Sequence, residues 1–180
     1  MWRRWPAFKR PDELSRSGFA PPPLSESLQI RSPLEADFAA IGDIFYQAVH
    51  HLGCRDYTPQ QLRAWAPEHL DSAHWRRRTL NLEVRIGVIG EEQVGFIGFS
   101  PSGYIDLLFT HPAHARRGVA RGLLSEAENI LRRAGVELAT TQASLTARHF
   151  FETTGYTCIR AQEAICHGVA IRNFHMEKKL

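Results

Sequence analysis

The sequence predicts a mixed α/β fold built on a central, mostly antiparallel sheet, and three observations carry that expectation. Apolar residues recur at helical spacing early in the chain, alternate at strand spacing through its middle, and are separated by turn signals at short intervals. The chain has 180 residues, enough for one domain with a core of its own. No internal repeat runs through it.

A short strand is expected from Leu28 to Arg31. Ser32-Pro33-Leu34-Glu35 reads as a capping box with proline at the first helical position. The helix it opens places Phe38, Ile41, Phe45 and Val49 on one stripe. Thr58-Pro59-Gln60-Gln61 repeats the start signal for a second helix that stops before Pro67, and a third helical piece follows from Asp71 toward Arg78. Leu82, Val84, Ile86 and Val88 then alternate with Glu83, Arg85, Gly87 and Ile89 as a strand. Glu91-Glu92 makes the turn, and Val94 to Ser100 returns as the partner. Pro101-Ser102-Gly103 turns again into Tyr104 to Thr110, which is apolar almost throughout. A helix is expected from near Arg116 to Arg133, closed by Gly135. Val136 to Thr141 is a strand, Leu145 to Thr153 a helix ended by Gly155, and Tyr156 to Gln162 and Val169 to Glu177 a final antiparallel pair.

Composition narrows the class. Apolar residues are 43% and charged residues 23% of the chain, the balance of an ordinary soluble domain. No apolar run approaches the roughly 18 residues of a membrane span. Cys54, Cys158 and Cys166 are odd in number and lack C-x-x-C spacing, which argues against a disulfide framework or zinc site and fits a reducing, cytoplasmic setting. The formal charge of +3 belongs to residues 1–16, where Arg3, Arg4, Lys9, Arg10 and Arg16 outnumber Asp12 and Glu13. The rest balances, so neither a nucleic-acid nor a membrane partner is expected. Residues 1–27 hold Pro21-Pro22-Pro23 and no periodic pattern, and are expected to be a disordered basic tail; residues 28–180 form the domain.

The most informative stretch runs from Leu108 to Arg121. An apolar strand ends at Thr110, Pro112 breaks it, a basic loop follows, and a helix opens at Gly118-Val119-Ala120. A helix start exposes unpaired N–H groups and the positive end of the dipole. Gly118 and Ala120 remove side-chain bulk, while Arg116, Arg117 and Arg121 add charge. Such a turn suits a pyrophosphate.

This stretch resembles the GNAT superfamily of N-acetyltransferases, which carries Q/R-x-x-G-x-G/A at the start of the helix after its fourth strand. Ala115-Arg116-Arg117-Gly118-Val119-Ala120 matches from Arg117 onward and departs at Ala115, where Gln or Arg is preferred; Thr110 stands where Val is usual. Ser144-x-x-Ala147-x-x-Phe150-Phe151-Glu152-x-x-Gly155-Tyr156 is similar to the family's N-x-x-A-x-x-[FL]-Y-E-x-x-G-F, with Ser144 for Asn and Phe151 for Tyr. D-Y-x-x-x-Q-x-x-A-W-A-P, Y-I-D, A-S-x-T-A-R and N-F-x-M-x-K add a resemblance to a bacterial subgroup, and the likeness spans residues 28–180.

The resemblance implies a sheet of about seven strands flanked by helices and splayed after the fourth strand. It implies acetyl-CoA (coenzyme A) as cosubstrate, with no metal. Arg117, Gly118, Val119, Ala120 and Arg121 inherit the pyrophosphate, with Arg116 compensating for Ala115. Leu108, Phe109 and Thr110 inherit main-chain pairing with the pantetheine arm, and Ser144 and Phe151 flank the thioester. Phe151 has no proton for the departing thiolate, so another group or water gives it, or the thiolate leaves unprotonated. The implied reaction is direct transfer to an amine of a small molecule or peptide, by a monomer or homodimer. Transfer to a hydroxyl, use of another acyl-CoA, and a CoA-binding module without turnover are the alternatives.

An alkyl ammonium has a pKa near ~10.4, so transfer to it needs a base. Asp106 is the acid within the apolar run Tyr104 to Phe109, and it is either that base or the partner of an arginine or a bulge. His111, beside the turn, is the second candidate. His50, Tyr57, Trp65 and Tyr104 are expected to wall the acceptor pocket, or else to be ordinary packing. Glu126 and Glu128 are expected in solvent.

Overall fold

The computed structural model describes residues 27–67 and 71–180, so the expected tail lies outside the described residues apart from Ser27. Strand β1 is Gln29–Arg31. The capping box expected at Ser32 does not form. Asp37 organises the turn instead: its carboxylate accepts the Leu34 N–H at 2.6 Å, the Arg31 guanidinium at 2.5 and 3.1 Å, and the Gln93 amide at 3.0 Å. Helix α1 therefore starts later, as Asp37–Gln47, and Ala36 at its N-cap makes no side-chain bond. Burial of Ile41, Phe45 and Val49 confirms the expected stripe.

Helix α1 runs on into a π-helical turn, Ala48–Leu52, and a 3-10 turn, Gly53–Arg55. Helix α2, Pro59–Trp65, has the reciprocal Thr58–Gln61 capping box that the sequence signals. Helix α3, Ser72–Thr79, is capped by Asp71, which accepts the His74 N–H at 2.7 Å. Trp75 anchors α3 to the sheet, 4.9 Å from the Phe45 ring and 5.8 Å from Phe96.

The other strands are β2 (Glu83–Ile89), β3 (Glu92–Phe99), β4 (Tyr104–Thr110), β5 (Leu138–Ser144), β6 (Thr157–Cys166) and β7 (Val169–Lys179). The β2–β3 turn falls on Gly90-Glu91 rather than Glu91-Glu92, because Gly90 takes φ 60°. Helices α4, Val119–Arg133, and α5, Leu145–Thr153, complete the fold. Strand β5 starts and ends later than the sequence suggests, since Val136 and Glu137 precede the first paired residue, Leu138. The sheet order is β1-β2-β3-β4-β5-β7-β6, antiparallel except for β4–β5.

The sheet divides the core into two layers. Val94, Leu123, Ala127, Leu131, Phe151, Phe174 and Met176 pack on the α4–α5 side. Ile41, Phe45, Trp75, Ile86, Phe96 and Leu107 pack on the α1–α3 side. Glu128 corrects the expectation of a solvated helix face. It is 5% exposed, with Lys178 Nζ at 2.7 and 2.8 Å and an Arg132 nitrogen at 3.2 Å. Beside it, burial and then the Glu128 charge push the Tyr156 phenol well above its ordinary pKa.

Candidate active site

The site begins where β4 and β5 part. They pair only at Tyr104↔Thr140 and Ile105↔Thr141, with the Thr141 hydroxyl donating to the Ile105 carbonyl at 2.9 Å. Beyond that point the edge of β4 that faces β5 has no strand partner among the described residues. Two main-chain edges thus flank a wedge, the splay expected after the fourth strand.

A bulge sits at the same level. Gly98 pairs with Leu107 and Phe99 with Ile105, so Asp106 is the extra residue on β4. Ile105 joins the α4–α5 layer, whereas Leu107 joins the α1–α3 layer. The bulge turns Asp106 toward α3, where an Arg78 nitrogen lies 2.6 Å from its carboxylate. The lone carboxylate considered from sequence is therefore a paired one. Arg78 was missed because it lies in a run of three arginines, Arg76 to Arg78, which reads as a solvated helix face.

At the far end of β4 the loop rises to α4. His114 is buried and holds Glu92 at 3.1 Å, with an Arg117 nitrogen 3.5 Å from its other ring nitrogen. Arg116 and Gly118 both take left-handed backbone, φ 65° and 86°. The loop leads into α4 with Gly118 as N-cap and no side-chain cap bond, which leaves the first amides of a 15-residue helix open. Nothing lies within 4 Å of where a Cβ on Gly118 would stand. Arg116, Arg117 and Arg121 are exposed, and Arg116 and Arg121 have no ion-pair partner among the described residues. Open amides, open space and unneutralised cations together fit a diphosphate. Val119 is buried and anchors the turn, and Ala120 is half-buried.

The remaining residues gather around the wedge with different roles. Leu108, Phe109 and Thr110 are half-buried along β4, and the Thr110 hydroxyl has no partner among the described residues. Trp65 packs edge-on to Tyr57 at 5.4 Å and to Phe109 at 6.4 Å, forming an aromatic wall on the α1–α2 side. The Tyr57 hydroxyl is committed, donating to the Arg172 carbonyl and accepting the Leu145 N–H, each at 2.8 Å. His50 gives its Nε2–H to the Ala66 carbonyl at 2.8 Å, which ties its ring to the end of α2. Ser144 caps α5 by accepting the Ala147 N–H at 3.1 Å. Phe151 is 3% exposed and packs edge-on to Tyr156 at 5.0 Å, so it backs the site from the core. His111 uses Nδ1 to accept the Ala113 N–H at 3.3 Å, and burial holds its pKa below the ordinary imidazole value. Burial, then the Asp106 charge, raises the Tyr104 phenol.

One surface was not anticipated. Phe174 and Met176 of β7 and Ala139 and Ala143 of β5 enter the α4–α5 layer. Alternation then sends Asn173, His175 and Glu177, with Thr140 and Gln142, to the opposite face. Tyr104 and Asp106 share that face, so a polar floor spans β4, β5 and β7 beside the wedge. On it, His175 Nε2 lies 2.9 Å from a Glu177 carboxylate oxygen. The period-two polar pattern of Asn173-Phe174-His175-Met176-Glu177 is the signal that could have revealed it.

Comparison with known proteins agrees with this geometry. The acetyltransferase (GNAT) domain profile matches residues 54–180. The uncharacterized N-acetyltransferase YafP of Escherichia coli (strain K12) is 37% identical over 153 residues, covering 85% of this chain and 97% of YafP. A GCN5-related N-acetyltransferase from Rhodopseudomonas palustris superposes with a TM-score of 0.82 at 28% identity, over 86% of this chain and 96% of that one. PaiA N-acetyltransferase from Thermoplasma acidophilum, solved in complex with coenzyme A, gives a TM-score of 0.68 at 17% identity, over 86% and 99%. The chain belongs to the GNAT family of acetyltransferases.

Proposed function

We propose that this protein transfers the acetyl group of acetyl-CoA directly to the amine of a small molecule or peptide, within a ternary complex. The observation that carries the reading is the open, cationic start of α4 at Gly118, set beside a wedge whose β4 edge is unpaired. The amides of Val119, Ala120 and Arg121, with the Arg116, Arg117 and Arg121 side chains, would hold the diphosphate. The free edge at Leu108 to Thr110 offers main-chain groups to the pantetheine arm. The bound thioester supplies an activated carbonyl, so the protein's work is alignment, proton removal and stabilisation of the oxyanion.

Asp106 is ion-paired with Arg78, which suits it to fixing the bulge and orienting an acceptor. His111 has its Nδ1 lone pair engaged, and it shapes the loop. The three free cysteines suit a cytoplasmic setting, and among the described residues no helix is long and apolar enough to cross a membrane. We extend the reading to a monomer or homodimer that needs no metal, nucleic acid or lipid.

A CoA-binding module without turnover is the second reading, favoured by the absence of a hydroxyl on Phe151. Thermal-shift titration with acetyl-CoA tests both, and the absence of stabilisation at micromolar ligand would sink both. Thiol release during a screen of amines then separates them: binding without release across the screen leaves only the second.

A further inference from the structure

We infer that His175, oriented by Glu177, is the base that takes the proton from a cationic amine acceptor; the inference rests on the acyl-transfer reading above. Two independent placements carry it. The first is position. His175 pairs with Gln142 of β5, one residue beyond Thr141, the last residue of β5 that still pairs with β4. Its ring therefore stands on the polar floor at the level where the strands separate, on the face away from α4 and α5.

The second is chemistry. An ionised carboxylate can only accept, so the 2.9 Å contact with Glu177 requires the proton on Nε2. Nδ1 is then left with its lone pair, and no contact occupies it among the described residues. The dyad is partly accessible, with side-chain exposures of 20% for His175 and 33% for Glu177. A carboxylate behind an imidazole fixes the tautomer and stabilises the imidazolium that forms, the arrangement that nucleophile-activating bases use generally. The other candidates are placed differently: the His111 Nδ1 lone pair already accepts the Ala113 N–H, Asp106 is ion-paired, and the His50 Nε2–H goes to a main-chain carbonyl rather than to a carboxylate.

The groups that face the dyad are few. Across β6, Arg160 pairs with His175 and Thr157 with Glu177. The Arg160 Nε donates to Gln162 at 3.2 Å. Gln142 and Thr140 come from β5, Tyr104 and Asp106 from β4, and Arg78 from α3. Arg78 and Asp106 pair with each other, which leaves the Glu177 carboxylate beside the ring and the Arg160 guanidinium across from it on β6.

The step balances without further reagents. An acceptor ammonium, R–NH3+, gives one proton to Nδ1 and becomes R–NH2. Its lone pair forms the C–N bond to the acetyl carbonyl carbon, and the C–S bond breaks. The nitrogen's second proton goes to the departing thiolate, and the imidazolium returns its proton to solvent. The products are the acetamide, free coenzyme A and one proton.

The test compares wild type with His175→Gln and Glu177→Gln. Stabilisation by acetyl-CoA is measured first, since its absence in wild type would defeat the acyl-transfer reading itself, whereas equal stabilisation of all three proteins isolates the base. Thiol release is then followed with two probe nucleophiles, n-propylamine, which is cationic at neutral pH, and hydroxylamine, which is already neutral there. His175→Gln should slow the propylamine reaction about 100-fold and the hydroxylamine reaction less than about threefold, as loss of a proton-abstracting group predicts. Glu177→Gln should slow the propylamine reaction more than the hydroxylamine reaction and should mix the ring tautomers of His175. An equal loss with both nucleophiles, or an unchanged tautomer in Glu177→Gln, overturns the inference. Should wild type turn over neither probe, the tautomer decides by 15N–13C correlation of the imidazole: Nε2–H that becomes mixed in Glu177→Gln supports the dyad, and Nδ1–H in wild type overturns it.

Discussion

The hydroxyl of Tyr57 and the amide of Leu145 meet at 2.8 Å across 88 residues of sequence. That contact fastens the segment before α2 to the first residue of α5, and the same oxygen donates to Arg172 of β7. Three elements around the wedge therefore share one phenol. Tyr57→Phe keeps the ring and leaves a half-buried N–H and a C=O without this partner. It should lower stability by about 2 kcal/mol without altering the denaturant slope, and urea titration followed by circular dichroism reads both.

Gly118→Val addresses the turn. The position has room for a side chain but a backbone at φ 86°, where an L-residue is strained by about 1 kcal/mol or more. The bulk would also stand where the diphosphate should lie. The expected result is a loss of acetyl-CoA affinity of at least about tenfold by calorimetry, against a stability change near the strain alone.

Acid sensitivity should trace to Asp37. The Arg31 hydrogen bond, then the Leu34 and Gln93 bonds, hold its carboxyl below the ordinary carboxylate range despite burial. A folded pKa below the unfolded value near ~3.9 stabilises the fold above that value and ceases to do so as pH falls through the folded one. Asp37→Asn should cost about 2 kcal/mol at pH 7 and flatten the acid limb. Denaturant midpoints measured between neutral and acid pH check both.

Glu128 and Lys178 form a buried pair whose halves are not equivalent to the whole. Glu128→Gln alone leaves Lys178, whose side chain is 20% exposed, without its main counter-charge and should cost about 3 kcal/mol. Glu128→Leu with Lys178→Met should recover much of that loss. A double-mutant cycle with coupling near zero would count against the pair as a unit.

The strand and helix order was readable because period and punctuation agree. The Thr58 box, the Leu145–Thr153 helix and the turn at Gly118 were all visible in local sequence. What was hidden depends on partners far along the chain. Ser32-Pro33-Leu34-Glu35 satisfies the local rule for a cap, yet Arg31 and Gln93 converge on Asp37 and the helix begins there. The bulge at Asp106 depends on the register with β3, which local sequence does not specify. Glu128 reads as a surface acid until Lys178 of β7 is seen against it. His175 and Glu177 escaped notice because their significance comes from β5 parting from β4, an event on two other strands.

Among the described residues, two rungs, Tyr104↔Thr140 and Ile105↔Thr141, stitch β1–β4 to β5–β7 within the sheet. The sheet alone is thus two leaves sharing a narrow seam, which the α4–α5 core and the Tyr57 and Lys178 contacts bridge on its faces. Tension applied across the leaves of the sheet would concentrate there, and a pantetheine arm wedged into the gap would act as a second fastening. Occupancy of the gap should accordingly raise the force at which a single molecule yields while leaving the rigidity of each leaf unchanged.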